Sequence, residues 1–192
     1  MLKSYFLKVS RQKKYAYLSD DRLLKTTDFP TFADMKKTNA ARILDRTKID
    51  YELIAYSVDE TDLSAKTLAL KLGQNIEQIF KTLILRGNES GVFVAVIPGH
   101  TEVHLKKAAK ASANKKAEMV TMKELLPLTG YIRGGCSPLG LKKPYPIFIH
   151  QSCLQHNFIY ISAGKRGLQI KLNPNDLIKV THAVVSDLIE ES

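Results

Sequence analysis

The chain has 192 residues, 44% hydrophobic and 25% charged, a composition that excludes disorder as the main state. Its longest apolar stretch, Val92 to Ile97, is far short of the roughly 20 residues that a membrane-crossing helix needs. A surplus of 29 Lys and Arg over 19 Asp and Glu leaves a net charge of +10, a field that favours polyanionic partners but specifies neither fold nor reaction.

Residues 1–34 show no helical or strand period, and their seven basic and four acidic side chains contribute only +3 of the charge. Asp20, Asp21, Asp28 and Asp34 argue against a transit peptide, and the apolar clusters near Tyr5 and Tyr15 are too short for a secretory signal. The expectation is an extension of undefined structure over 1–34 and a folded domain over 35–192. Thr38 or Asn39 caps a helix through Ala40, Ala41, Ile43 and Leu44. Tyr51 to Val58 reads as a strand. Ser64 then caps a helix whose Ala65, Leu68, Ala69 and Leu72 share one face, and Gly73 stops it.

Ile79 to Leu85 and Val92 to Ile97 read as two strands of a hairpin, joined by the turn-rich segment Gly87 to Gly91 and expected in the middle of a sheet. Leu105, Ala108 and Ala109 form the apolar stripe of a helix whose other face carries Lys106, Lys107 and Lys110. Thr121 and Glu124 make a capping box for a further helix, expected to end at Pro127 and Gly130. Pro146 to His150, Phe158 to Ser162 and Leu168 to Leu172 read as strands. Asn173-Pro174 opens a helix, and Ala183 to Val185 is a last short strand. The pattern is that of one mixed α/β domain, and its strand order is not legible.

Few residues carry an obvious chemistry. Cys136 and Cys153 can make neither a disulfide framework nor a four-thiolate zinc site, so a reducing compartment, the cytoplasm, is expected. His100 and His104 lie in a loop after Pro98-Gly99 and lack a third ligand, so no metal is expected. No nucleophile elbow, Walker loop or dinucleotide fingerprint is present. Strand alternation puts Lys81 on the face of Leu83 and Leu85. It either snorkels to water or holds an anionic group in a pocket. Two glycine-rich segments, Gly130 to Gly140 and Ser162 to Gly167, are either tight turns, the commoner use of glycine, or places where the backbone approaches an anionic ligand, a reading toward which the flanking Arg133, Lys142, Lys143, Lys165 and Arg166 shift the balance. Lys106, Lys107, Lys110, Lys115 and Lys116 are a second basic cluster, either a nucleic-acid contact or a solvated helix face.

Three motifs in order, Phe80-Lys81-Thr82-Leu83, the Gly-Tyr-x-x-Gly-Gly-x-Ser-Pro-Leu-Gly run from Gly130, and Ser162-Ala163-Gly164-Lys165-Arg166-Gly167-Leu168, resemble the YbaK family of aminoacyl-tRNA deacylases over roughly residues 36–190. The resemblance implies the fold of the prolyl-tRNA synthetase editing domain, a mixed, barrel-like β-sheet surrounded by helices. It also implies hydrolysis of mischarged tRNA in trans, above all Cys-tRNA(Pro), with no cofactor and with prolyl-tRNA synthetase as a possible partner. Lys81 and Gly134 take the catalytic positions, and Tyr56, Thr82, Gly135, Ser162, Lys165 and Arg166 take the substrate-binding ones. Gly134 and Gly135 are expected to supply backbone donors and close packing.

In this family the substrate's own thiol is thought to attack its ester, which would make an enzyme nucleophile unnecessary. One departure stands out: some members have Asp where this chain has Gln169. Two alternatives remain, a deacylase for another small residue such as alanine and a non-catalytic module that binds tRNA or a synthetase.

Overall fold

A computed structural model describes residues 37–190, together with the strand segments Tyr5–Leu7 (β1) and Lys14–Tyr17 (β2). The sequence-derived elements form where local chemistry asks for them. Thr38 Oγ1 accepts from the Ala41 N–H to start α1 (Asn39–Thr47), and Ser64 Oγ accepts from the Thr67 N–H to start α2 (Ala65–Leu72). Such a cap is worth about 1 kcal/mol. Gly73 stops α2 at φ 60°.

After β3 (Tyr51–Ala55), the hairpin is β4 (Phe80–Gly87) and β5 (Gly91–Pro98), antiparallel and in register from Phe80 opposite Pro98 to Gly87 opposite Gly91. There follow α3 (Leu105–Ala111), β6 (Ala117–Met119), α4 (Met122–Thr129), β7 (Ile147–His150), β8 (Ile159–Ser162), β9 (Leu168–Leu172), α5 (Pro174–Thr181) and β10 (Val184–Ser186). The expectation for α4 needs one correction. Pro127 lies inside the helix and only Gly130, at φ 81°, ends it. A proline in the second turn of so short a helix removes a single backbone bond, which the packed helix tolerates.

The described strands form two five-stranded sheets, ordered β1-β2-β3-β9-β8 and β10-β7-β5-β4-β6. The hairpin is central to the second sheet, and β7 and β10 add to it in parallel. β1 and β2 lie within the stretch where the sequence showed no period, and β2 runs parallel to β3. A parallel bridge between Ile79 and Tyr160 joins the start of β4 to β8. The two sheets therefore meet along a seam, giving a barrel-like but open arrangement.

β4 has two apolar faces. Phe80 and Ile84 enter the main core with Val94, Val96, Ile149 and Ile161. Leu83 and Leu85 turn to a second cluster with Phe93 and Phe148, whose rings meet edge to face at 5.6 Å. A third cluster, Ile54, Ala69, Leu72, Ile79 and Tyr160, seats α2 beside the seam. Full burial of each large aliphatic side chain stabilises by about 1.5–3 kcal/mol.

Candidate functional site

A cavity of about 600 Å³ opens beside the seam, where the start of β4, the facing ends of β8 and β9, α2 with its preceding segment 56–64, the segment 119–125 and the loop 130–140 converge. Its volume is in the usual range for a small-molecule site. Tyr56, Lys81, Thr82, Gly134 and Ser162 all line it; Gly135, Lys165 and Arg166 do not. Lys81 and Thr82 sit on opposite faces of β4, yet both border the cavity, because it wraps the end of the strand at the bridge to β8.

Lys81 is 29% exposed, and its Nζ stands 3.4 Å from the carboxylate of Glu102, itself 84% exposed. The ammonium is at the mouth. An ion pair this open to solvent contributes about 0–1 kcal/mol, so an incoming anion can replace Glu102 at small cost. Deeper in, Thr82 Oγ1 and Gln169 Oε1 are buried with no hydrogen-bond partner, and Gln169 is only 4% exposed. Each such atom costs about 1–3 kcal/mol if nothing satisfies it, and native structures keep few of them. Gln169 drew notice in the sequence only as a departure from a family pattern. Its place on the cavity wall and its unpaired, buried side-chain carbonyl depend on pairing between distant strands.

The loops around the mouth are tied together by side chains. Arg166 Nε donates to the Arg133 carbonyl at 2.9 Å, and its guanidinium reaches Glu60 at 2.9 Å. Arg166 thus fastens three segments and is engaged in positioning them. Lys165 is exposed. Gly134 has φ +80°, and a Cβ there would stand 3.0 Å from Leu63, so the 130–140 loop packs closely under segment 56–64. The expected donor role of Gly135 needs correction. Its N–H is already given to the Ile132 carbonyl at 3.0 Å. What remains is a packing role, since a Cβ on Gly135 would stand 3.4–3.5 Å from the Lys165–Arg166 backbone.

Asp59 and Asp62 also line the cavity. Hydrogen bonds hold both carboxyls below their ordinary range, chiefly from the Thr61 side chain to Asp59 and from the Thr67 side chain to Asp62. Burial pushes the Cys136 thiol up to about 12, so the cysteine on the cavity wall is a neutral thiol. The lining contains no histidine.

A Ser–His–Asp grouping exists elsewhere: His150 Nδ1 lies 2.8 Å from Ser152 Oγ, and Nε2 lies 3.5 Å from Asp187. It is outside the cavity lining. His150 Nδ1 also accepts from the Ser152 backbone N–H, the geometry of a cap on the short 3-10 turn Gln151–Gln155. The second basic cluster is divided as well. Lys107 pairs with Asp187 at 2.7 Å and Lys115 with Glu89 at 3.4 Å. No group of three potential metal ligands occurs among the described residues, and no helix there is long and apolar enough to cross a membrane.

A profile describing the aminoacyl-tRNA editing domain matches residues 60–180, a span that takes in most of this cavity. The chain belongs to the aminoacyl-tRNA editing domain family. A relative from Enterococcus faecalis, named "Putative Cys-tRNA(Pro)/Cys-tRNA(Cys) deacylase EbsC", is 46% identical over 153 residues, 80% of this chain and 93% of that protein. The uncharacterized protein YwhH of Bacillus subtilis is 28% identical over 131 residues, 67% of this chain and 83% of that one.

Among solved structures, a candidate trans-editing enzyme for prolyl tRNA synthetase is similar at 26% identity and a TM-score of 0.66, covering 73% of this chain and 87% of the other. A hypothetical protein shares the fold at a TM-score of 0.71 and 24% identity, covering 78% of this chain and 97% of the other. As an editing domain, the chain is an aminoacyl-tRNA deacylase that acts on mischarged tRNA.

Proposed function

We propose that the chain removes cysteine from Cys-tRNA, principally Cys-tRNA(Pro), and that the attacking group is the substrate's thiol. The observation that carries this reading is the chemistry of the lining: the cavity has no histidine, and its single cysteine is held as a neutral thiol. A hydrolase so equipped lacks a histidine base and a thiolate of its own, whereas a cysteinyl ester brings its own nucleophile. The name of the relative from Enterococcus faecalis supports the same substrate. The likeness to a candidate trans-editing enzyme supports tRNA(Pro), with prolyl-tRNA synthetase as the partner that supplies mischarged tRNA in the cytoplasm.

In this mechanism the sulfur attacks the ester carbonyl and the carbon–oxygen bond to the ribose breaks. The ribose oxygen takes up the proton lost by the thiol, and water then opens the cyclic thioester to free cysteine. The protein's part is placement and charge stabilisation. Lys81 at the mouth holds the terminal phosphate and ribose in place of Glu102. Thr82 and Ser162 orient the aminoacyl group, Tyr56 packs against it, and Gly134 allows the loop to approach. Lys165 lies outside the cavity, where it can meet the tRNA backbone, and Arg166 holds the mouth together.

The test is a panel of Cys-, Ala- and Ser-charged tRNA(Pro). Cys-tRNA should be hydrolysed at least 100-fold faster than Ser-tRNA, whose hydroxyl is a far weaker nucleophile. Comparable rates for Ser- and Cys-tRNA would point to an activated water. A preference for Ala-tRNA would reassign the substrate, and inactivity on all three would leave a binding module.

A further inference from the structure

The first half of β4 has one open edge. On one side the strand pairs with β5 along its whole length. On the other, a bridge joins Ile79 to Tyr160, the Ile84 carbonyl accepts from the Val120 N–H at 3.1 Å, and pairing with β6 begins only at Leu85. Among the described residues no strand covers 80–83 on that side. The cavity passes around this edge, since Thr82 borders it from one face of β4 and Lys81 and Leu83 border it from the other.

The Lys81 face continues onto β6. Met119 stands directly opposite Leu85, and side chains opposite one another in antiparallel strands share a face, so Met119 is on the face of Lys81 and Leu83. Successive residues on that face are about 7 Å apart along β4. The face therefore runs from the Lys81 ammonium over Leu83 toward Met119, with Met122 following in the first turn of α4, and all four side chains line the cavity. Met119 is 45% exposed and Met122 57%. Exposed apolar side chains are ordinary when scattered, but two along one stretch of a cavity wall make an apolar surface accessible to a ligand.

A cation followed by an uncharged apolar floor fits an anionic group joined to a flat, uncharged body. The terminal nucleotide of a tRNA has that form, with a phosphate, a ribose and a base whose ring faces are apolar. Thioethers make favourable contacts with aromatic rings and adapt to their shape. We infer that Met119 and Met122, with Leu83, are the platform for the terminal adenine. The nucleotide then lies along the Lys81 face of β4, and the aminoacyl group on its ribose turns across the open edge toward Thr82. This rests on the deacylase reading above. The volume agrees with it, because about 600 Å³ is in the range that holds drug-sized ligands, far beyond what a cysteinyl group fills.

The experiment compares the full-length protein with the double variants Met119→Ser/Met122→Ser and Met119→Leu/Met122→Leu. One substrate is the ribose-linked cysteinyl ester of adenosine monophosphate. The other is the same ester of a methyl riboside monophosphate, which keeps phosphate and ribose and lacks the base. Rates are divided by the uncatalysed hydrolysis of each ester. Wild type should prefer the adenosine ester by at least about tenfold in kcat/KM, mostly through KM, as expected of a contact made equally in ground and transition states. The serine pair should bring the preference to within about threefold, and the leucine pair, which keeps the apolar floor, should retain it. Thermal melts establish that both are folded.

A folded serine pair with undiminished preference, or an active wild type with none, overturns the inference and leaves the deacylase reading standing. If wild type turns over neither small ester, the same variants are measured on Cys-tRNA(Pro). A KM raised at least about fivefold by the serine pair and restored by the leucine pair supports the platform, and an unchanged KM overturns it. Should the serine pair fail to fold, Met119→Ser and Met122→Ser decide singly by the same criteria. A wild type inactive on Cys-tRNA(Pro) as well overturns the reading and the inference with it.

Discussion

Two buried amides of this protein live by different rules. Asn114, 8% exposed, closes the far end of the β4–β5 hairpin. Its Oδ1 accepts from the Glu89 and Ser90 N–H groups at 2.9 Å each, and its Nδ2 donates to Ser90 Oγ at 2.7 Å and to the Ser112 carbonyl at 2.9 Å. Even the glycine beside it makes room, since a Cβ on Gly87 would fall 2.2 Å from Asn114 Cγ. Gln169 is buried at least as deeply, yet its side-chain carbonyl is unpaired. An amide buried to hold a turn satisfies its hydrogen bonds within the fold, whereas the Gln169 oxygen is buried without a partner and costs stability.

The largest effect is expected at Lys81. Lys81→Ala should lower kcat/KM for Cys-tRNA by at least about 100-fold, because in the proposed mechanism the protein's part is placement of the reacting end. The melting temperature should stay within a degree or two, because the exposed pair with Glu102 contributes little. Single-turnover deacylation and a thermal melt check both halves, and wild-type rates would remove Lys81 from the site. At Asn114 the pattern should invert. Asn114→Ala leaves the Glu89 and Ser90 N–H groups unpaired and should destabilise by about 2–4 kcal/mol. Deacylation well below the melt should stay within about twofold of wild type. Gln169→Met, measured in the same melts, should be neutral or slightly stabilising because it removes an unsatisfied polar atom.

Cys136 offers a test by pH. Its folded-state thiol is pushed up to about 12, against about 8.5 for a free thiol. A group whose pKa rises on folding gives up stability as pH climbs between those values, because the unfolded chain releases the proton first. Cys136→Ser should therefore resist alkaline unfolding above about pH 9 better than wild type. Its deacylation at neutral pH should stay within about threefold. A drop of several orders of magnitude in a folded Cys136→Ser protein would favour an enzyme thiol over the substrate's.

Smaller effects concern the surface. Lys107 and Lys115 are engaged with Asp187 and Glu89, so Lys106→Glu with Lys110→Glu is the cleaner probe of phosphate contact. The pair should reduce the salt slope of tRNA affinity by about one to two; an unchanged slope would make this a solvated helix face. The smallest change is expected from a chain beginning at Met35. It loses β1 and β2, which lie on the outer side of β3, while among the described residues those of the cavity wall lie at Tyr56 or beyond. Activity should stay within about twofold, and a large loss of activity or melting temperature would show that these strands support the core.

Much of the local structure was legible because it depends on neighbours within four or five residues. Thr38, Ser64 and Asn173 cap the helices expected of them, Gly73 stops α2, and the β4–β5 hairpin pairs around its turn. The three motifs were legible for the same reason: each is a continuous run. β6, with three residues and two of them exposed, had no pattern to announce it.

What tertiary structure alone decided is how those runs meet. The bridge from Ile79 to Tyr160 brings Lys81 and Thr82 to Ser162, and the pairing of β8 with β9 places Gln169 beside them. Arg166 finds Glu60 across 106 residues of sequence, and the Gly135 N–H is spent on Ile132. Local sequence carries propensity, caps and strand phase, which act through short-range sterics and hydrogen bonds. Which strands become neighbours, and which buried polar atom is left without a partner, is settled only when the whole core packs.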